Sequence, residues 1–160
     1  MPEQEKEFQV PFERDESKRQ RWMKVLAKAE LENLEKAWSW MGEKPSYRRL
    51  RGPEIGLILL QGRKDGKGDA FHLGEMTVTR CSVQIDGGNT GCAYVTGRSH
   101  RHAELSALFD ALLQDPVHQD LLMKEIIYPL EQIQRHRQAL EDKKVSETRV
   151  EFFTMVRGEG

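Results

Sequence analysis

The residues best suited to bind an anion lie in the segment Gly97-Arg98-Ser99. A strand-like run ends here and a helix begins, so helical amides, the positive end of the helix dipole and a guanidinium group can meet at one point. Such a point suits phosphate or phosphonate, which makes Arg98 and Ser99 candidate anion-binding residues. The alternative is that Gly97 makes the turn, Ser99 caps the helix and Arg98 pairs with a surface carboxylate.

The same helix start carries His100, His102 and Glu104. Imidazole and carboxylate groups bind transition metals, but residues two apart point about 200° apart around a helix, so we expect no metal site. His102 shares a stripe with Leu105 and Phe109, which favours a hydrogen-bonded histidine at the edge of the core. Because imidazole titrates near neutrality, a general acid is the other interpretation, and His102 is the candidate catalytic residue.

Two further arginines, Arg80 and Arg157, are candidates for a functional role. Arg80 is predicted in mid-strand, on the face opposite Cys81. It either reaches water from an open sheet face, joins an ion pair with, for example, Glu75 or Glu104, or serves a pocket, and it is a third candidate for anion binding. Arg157 lies near the chain end and either presents its guanidinium group to a neighbouring subunit or has no function.

Size and charge narrow the possible functions. The 160 residues suit one domain, and 25 Lys and Arg against 26 Asp and Glu leave a net charge of -1. This balance disfavours nucleic acid as a partner. No apolar run reaches the roughly 20 residues of a membrane span, and the start is acidic where a signal peptide is basic, so we expect a cytoplasmic protein without a membrane partner. The sequence lacks the motifs of a P-loop, a dinucleotide site or a serine triad.

The chain is predicted to begin with a mobile arm, residues 1–14, followed by a single domain, residues 15–160. Ser17 and Gln20 form a capping box that starts a helix. Two apolar stripes follow, about 120° apart around the helix axis, which predicts two short helices or one helix bent near Glu30. The stripes are Trp22, Val25, Leu26 and Ala29, then Leu31, Leu34, Trp38 and Met41.

The hydrophobic period then changes to that of β-strands. Residues 47–51 and 55–61 are predicted strands, and the second is apolar enough to be covered on both faces. Residues 63–69 are predicted to form a hairpin loop. One long strand or two short ones are expected over residues 70–86, and another over 91–96, which gives an antiparallel meander.

Residues 86–89, Asp-Gly-Gly-Asn, predict a tight turn between the last two strands. With residues 88 and 89 at its centre, Cys81 lies opposite Thr96. The thiols of Cys81 and Cys92 then share one sheet face but lie about 13 Å apart, which is too far for a disulfide. Both are predicted to be small apolar residues of the core.

The remaining sequence is mainly helical. A helix capped by Ser99 is expected to lie on the sheet, and Pro116 follows its end. Residues 117–144 form a longer helical stretch that Pro129 bends or splits. Its polar second half, from residue 131, either extends away from the core or packs on another chain.

The chain ends in a β-prone run, residues 150–156, with apolar groups on both faces. Such a terminal strand is buried in the sheet or against a partner. The candidate interface residues are Phe152, Phe153, Met155 and Arg157. The predicted fold is therefore α+β, with a mainly antiparallel sheet, N-terminal helices, one helix packed on the sheet, a long proline-bent C-terminal helical stretch and a terminal strand.

Four ordered segments resemble the PhnG family, small subunits of the bacterial carbon-phosphorus lyase machinery. They are residues 21–23 (Arg-Trp-Met), 74–81, 93–104 and 152–159 (Phe-Phe-Thr-Met-Val-Arg-Gly-Glu). The resemblance runs from about residue 19 to residue 159 and leaves only the N-terminal arm outside it.

This resemblance implies a subunit that acts with PhnH, PhnI and PhnL to form ribose 1-methylphosphonate 5-triphosphate from ATP and methylphosphonate, with release of adenine. It also implies PhnJ as a partner, two copies in the assembly, no cofactor bound by this chain, and ATP as a substrate of the complex. PhnI is the expected seat of the chemistry, so the expected role here is structural and interfacial. The alternative is a stand-alone α+β module that binds a small anion or a nucleotide.

Overall fold

The fold is α+β, as the sequence predicted, in a computed structural model that describes residues 17–63 and 66–148. The predicted N-terminal arm, the boundary at residue 15 and the terminal strand lie outside the described residues. The elements are α1 (Lys18–Lys28), α2 (Leu31–Trp40), β1 (Tyr47–Arg63), β2 (Ala70–Ile85), β3 (Thr90–Thr96), α3 (His100–Leu113), α4 (Pro116–Leu122) and α5 (Tyr128–Glu147).

Local signals start and separate the first two helices. The Ser17 hydroxyl accepts a hydrogen bond from the Gln20 amide at 3.3 Å, and the Gln20 side chain accepts one from the Ser17 amide at 3.2 Å. This capping box satisfies two donors that would otherwise lack partners. Ala29 is extended, so the chain forms two helices rather than one bent helix. The predicted stripes are buried except that Leu31 stays 37% exposed and Met41 half-buried.

Helix α3 forms the centre of the molecule. Every residue from 103 to 113 is buried, because the sheet covers one side of the helix while α1 and α2 cover the others. Trp38 of α2 packs edge-on against Phe109, with ring centroids 5.9 Å apart. The predicted stripe describes only the side that faces α1 and α2, where His102 contacts Leu26 and Phe109 contacts Trp38, whereas Ala107 and Ala111 face the sheet. A helix that is apolar on all sides belongs inside a protein, and α3 follows that rule.

The sheet has the strand order β1-β2-β3, all antiparallel, within the described residues. β1 is one bulged strand of 17 residues where the sequence predicted two short ones. The prediction that residues 55–61 are covered on both faces is wrong for this chain. Leu57 is 65% exposed and Leu59 is 61% exposed, because the hairpin of β1 and β2 continues past the end of β3.

The turn between β2 and β3 also differs from the prediction. All four residues 86–89 lie in the loop, since Gln84 pairs with Thr90. Cys81 therefore pairs with Ala93 instead of Thr96, a shift of three residues. Because paired residues share a sheet face, Cys81 and Cys92 lie on opposite faces. Both thiols are free, and only Cys81 is buried in the core.

The C-terminal helical stretch contains a π-turn, Met123–Ile127, between α4 and α5. The Tyr128 amide donates to the Met123 carbonyl, five residues earlier. Pro129 has no N–H to donate to the carbonyl four residues before it, and the helix widens directly before this position. Beyond Leu130 the helix is mostly exposed, which agrees with its polar sequence.

We expect Gly91→Ala to destabilise the fold by about 1–3 kcal/mol or more, because the added methyl group would overpack the contact between β3 and α3. A Cβ atom at Gly91 would lie 1.9 Å from the Ala107 carbonyl oxygen and 2.5 Å from the Ala111 nitrogen, both of them backbone atoms of α3. Urea unfolding followed by circular dichroism gives the free energy of unfolding. The matched control is Gly56→Ala in β1, where a Cβ atom meets nothing within 4 Å. Equal effects of the two substitutions would contradict this close packing.

Candidate functional site

Two acidic residues on α3 form the most connected polar sites of the described chain. Glu104 is 5% exposed and Asp110 is fully buried. A buried carboxylate is costly unless charged or hydrogen-bonding partners surround it. From the sequence, Glu104 was predicted only as a metal ligand or an ion-pair partner, and Asp110 was not predicted to have a role. The available signal was their place on a helix that is otherwise apolar on every side.

Glu104 binds residues from β1 and from its own helix. Its Oε1 accepts hydrogen bonds from the Tyr47 hydroxyl at 3.0 Å and from Arg49 Nε at 2.7 Å. Its Oε2 lies 3.5 Å from Arg101 Nη1. Arg101 also pairs with Glu35 of α2 at 2.8 Å. This network therefore joins the start of β1, the start of α3 and α2.

The network fixes the charge of Glu104. Burial alone would raise the pKa of this carboxyl, but the hydrogen bonds from Arg49 and Tyr47 outweigh burial and hold the pKa below its ordinary value. The neighbouring Cys81 shows the opposite effect. Burial, with a smaller contribution from the charge of Glu104, raises the pKa of its thiol to about 11. Cys81 therefore stays protonated at neutral pH and is a poor nucleophile.

Asp110 joins α3 to α1 and β3. Arg19 forms a forked pair with its carboxylate, at 3.2 Å through Nε and 2.9 Å through Nη2. The Trp22 indole donates to it at 2.9 Å, and the Cys92 amide donates at 3.0 Å. Two residues of α1 and one backbone amide of the sheet thus donate hydrogen bonds to the buried carboxylate of Asp110. Asp110 acts as a structural residue that sets the position of α1.

The structure separates the three anion-binding candidates by what they contact. Ser99 caps α3, with its hydroxyl accepting from the His102 amide at 3.3 Å. Gly97 makes the turn with a positive φ of 91°, and its amide donates to the Thr77 carbonyl at 2.9 Å. Arg98 is exposed, and no carboxylate pairs with it within residues 17–63 and 66–148. The capping part of the structural alternative is confirmed, whereas the surface ion pair is absent from these residues.

Arg80 is held by an ion pair with Glu54, a partner that was not predicted from the sequence. It lies opposite Glu54 in the β1–β2 ladder, and its Nε donates to Glu54 at 2.7 Å. Arg51 pairs with the same carboxylate. The suggested partner Glu104 is wrong, since that carboxylate binds Tyr47, Arg49 and Arg101, and Glu75 lies further along the strand. Arg80 contacts Glu54 and Ser99 contacts the His102 amide, while Arg98 has no ion-pair partner among the described residues, so the three candidates share no contact.

His102 occupies the position that the structural interpretation predicted. Its Nε2 lies 2.9 Å from the Leu26 carbonyl oxygen at the end of α1. A carbonyl only accepts, so Nε2 carries the hydrogen. Ser106 donates to the same oxygen at 3.4 Å. His102 thus helps to satisfy the last carbonyls of α1, which a helix end leaves without partners.

The suggested metal ligands do not converge. His100 is exposed, His102 binds Leu26, and Glu104 points to Tyr47 and Arg49. No group of three His, Cys, Asp or Glu side chains could hold a metal within the described part of the chain. The interface candidates Phe152, Phe153, Met155 and Arg157 lie outside the described residues.

A cleft of about 470 Å³ lies between α1 and α5 and is rich in charge. Arg21 Nη2 pairs with Glu131 across it at 2.7 Å, and Arg137 pairs with Glu30. Gln134 donates to the Val25 carbonyl at 2.8 Å and so satisfies another carbonyl group in the last turn of α1. These contacts make the cleft a polar interface between two helices. No helix among the described residues is both long and apolar enough to cross a lipid bilayer.

The fold and these contacts define an α+β protein whose charged side chains mostly hold its own elements together. A sequence model of the family described as phosphonate metabolism protein PhnG matches residues 17–158. The chain is 40% identical over 146 residues to the alpha-D-ribose 1-methylphosphonate 5-triphosphate synthase subunit PhnG of Rhizobium meliloti (strain 1021), covering 89% of this chain and 91% of that protein. The chain belongs to the PhnG family, and the resemblance inferred from its sequence is confirmed.

We expect Asp110→Asn to lower the free energy of unfolding by about 2 kcal/mol or more, because a buried charged acceptor is lost. The substitution keeps the shape of the side chain but turns one oxygen into a donor that faces the Arg19, Trp22 and Cys92 donors. Urea unfolding measures the change. The control is Asp120→Asn, since Asp120 is exposed on α4. If both variants unfold at the same urea concentration as the unaltered protein, Asp110 does not hold the fold.

Glu104 should make the fold sensitive to acid. Its pKa in the folded protein lies below the ordinary value of 4.5, so its contribution to stability is complete above that pH and is lost as the pH falls through the folded value. Glu104→Gln removes this contribution at every pH. We expect the free energies of unfolding of the two proteins to converge as the pH falls below the ordinary value of 4.5 and through the lower pKa of folded Glu104. Parallel curves would show that Glu104 is not held as a carboxylate.

Proposed function

We propose that this chain is a subunit of a multi-subunit enzyme that makes ribose 1-methylphosphonate 5-triphosphate during phosphonate metabolism. The observation that carries this proposal is the 40% identity to a synthase subunit of that name along 89% of the chain. The similarity extends across both the helices and the sheet, so it concerns the whole described fold rather than one motif.

In the proposed reaction, a methylphosphonate oxygen replaces adenine at the anomeric carbon of ATP. ATP and methylphosphonate are substrates of the complex, and this chain needs no cofactor of its own. The partners we propose are PhnH, PhnI and PhnL, with PhnJ in the same assembly, two copies of this chain, and a cytoplasmic location. The reaction requires neutralisation of a triphosphate, an oriented nucleophile and stabilisation of the leaving base.

The contacts of the candidate residues support a structural and interfacial role for this chain. His102 binds a backbone carbonyl, Ser99 caps α3, and Arg80 pairs with Glu54. Each of these groups already has a partner that its position in the fold requires. Arg98 differs, because its guanidinium group is exposed at the start of α3, and it is the best candidate for a direct contact with an anionic substrate.

We expect Arg98→Ala to lower kcat/KM for adenine release about tenfold or more in the reconstituted complex, because a charge-assisted hydrogen bond to an anion is lost. Arg98→Lys should restore part of the activity. The control is Arg48→Ala, since Arg48 is also exposed but bonds Gln84 and lies on the sheet face away from α3. Size-exclusion chromatography of each variant complex checks that it still assembles.

Unchanged kinetics for Arg98→Ala would exclude Arg98 from the substrate site. The proposal that this chain is a subunit of a multi-subunit enzyme has its own test. If the isolated chain binds ATP or methylphosphonate with micromolar affinity in calorimetry and forms no complex with the other subunits, the chain is a stand-alone binding module.

A further inference from the structure

The cleft between α1 and α5 holds more positive charge than its carboxylates neutralise. Its described lining has two acidic side chains, Glu131 and Glu141, against five basic ones, which are Arg21, Lys24, Lys28, Arg135 and Arg137. The five basic groups exceed the two acidic ones by three, in a chain whose net charge is -1. A cleft lined mainly by one sign of charge focuses its electric field and concentrates oppositely charged ligands. The charge of this cleft therefore favours an anion.

Three of the basic residues form a row along α1. Arg21, Lys24 and Lys28 follow each other at spacings of three and four residues, so they share one side of the helix. At a rise of about 1.5 Å per residue, the row is about 10 Å long. Like charges at these spacings repel each other and weaken a helix. An elongated anion lying along the row would relieve this repulsion.

Glu131 is shared by several of these basic groups. It accepts hydrogen bonds from Arg21 at 3.0 and 2.7 Å, and it also lies 3.6 Å from Arg135. The hydrogen bonds from Arg21, with the charges of Arg135 and Lys24, lower the pKa of this carboxyl against the effect of burial. Three basic groups thus act on one carboxylate, which neutralises only one of them.

The remaining pairs do not remove the excess. Arg137 pairs with Glu30, which lies outside the lining of the cleft. When Glu30 is counted as well, the basic residues still exceed the acidic ones by two. Lys28 and Arg135 are exposed, so their charged ends can turn toward a ligand in the cleft.

We infer that this cleft binds a chain of linked phosphate groups, such as a triphosphate. Arginine binds phosphate oxygens as a fork and lysine binds them as a point charge. A single phosphate would meet only one part of the row on α1, whereas linked phosphates place charges along it. The cleft volume of about 470 Å³ suits a small ligand better than a length of polypeptide. The site is separate from Arg98, which is not among the residues of the cleft.

The source of the phosphate chain is a separate question from its chemistry. Under the proposed function, ATP and the product both carry a triphosphate, and the choice of this source rests on that function. The competing occupant is an acidic polypeptide segment. Residues 1–16 of this chain carry six acidic and two basic side chains. The test therefore uses the full chain, in which such a segment competes with the ligand.

The test is calorimetric titration of the full chain with inorganic tripolyphosphate, without magnesium and at about 50 mM salt, where screening is weak. We expect binding, and an affinity at least about tenfold lower for the double variant Lys28→Gln, Arg135→Gln, because two charged phosphate contacts are lost. The matched control is Lys124→Gln with Arg48→Gln, which removes the same charge from exposed residues outside the cleft. It should bind as the unaltered protein does. Unchanged melting temperatures check that both variants fold.

Three further ligands identify what the cleft recognises. Inorganic phosphate should bind at least about tenfold more weakly than tripolyphosphate, because it meets fewer of the basic groups. Adenosine should not bind. Equal affinities for ATP and tripolyphosphate would show that the phosphate chain alone is recognised, and tighter binding of ATP would identify a nucleotide as its source. Both outcomes support the inference, whereas equal affinities for phosphate and tripolyphosphate would overturn it.

The possible failures have different signatures. If the full chain binds no tripolyphosphate, the inference is overturned, also where acidic residues of the chain itself fill the cleft. An equal loss of affinity in the cleft variant and the control overturns it as well, because net charge alone then explains the binding. If the chain assembles with PhnH, PhnI and PhnJ but binds no tripolyphosphate, the inference is wrong while the proposed function stands. If the chain fails to assemble with them, the proposed function fails, and the titration still decides the inference.

Discussion

The fold depends on the burial of α3 from residue 103 to residue 113 together with its two acidic residues. A helix can be covered on all sides only if its polar groups find partners inside the protein. Asp110 finds them in Arg19, Trp22 and the Cys92 amide, and Glu104 finds them in two arginines and a tyrosine. These partners come from α1, β1, β3 and α3 itself, and Arg101 in turn pairs with Glu35 of α2. The pairing of two carboxylates therefore sets where most of the other elements lie.

Features that depend on neighbouring residues were predictable from the sequence. The Ser17 capping box, the cap at Ser99 and the break between α1 and α2 follow from side chains within a few positions of each other. The register of β2 and β3 was not predictable, because a turn of two residues and a loop of four both fit the same Asp-Gly-Gly-Asn sequence. The prediction that residues 55–61 are covered on both faces was wrong for another reason, since an apolar strand has the same composition whether or not other elements of the chain cover it.

The candidate site was predicted in part. The sequence indicated that His102 could be a hydrogen-bonded residue at the core edge, and its contact with Leu26 agrees. It could not indicate which carboxylate pairs with Arg80, because Glu54 meets that arginine only through strand pairing across 26 positions. Reactive side chain types are thus a weak guide in this chain. Most of them cap helix ends or form ion pairs within the fold.

The π-turn before Pro129 sets the rotation of everything that follows it. A helix turns about 100° per residue, so one residue more or fewer between α4 and α5 would rotate the whole of α5 by that angle. Glu131 and Gln134 meet α1 only at the present rotation. The attachment of α1 to α5 is therefore encoded in the spacing of the chain as well as in its side chains. An insertion or deletion here would turn Glu131 and Gln134 away from α1, even if every side chain of both helices were kept.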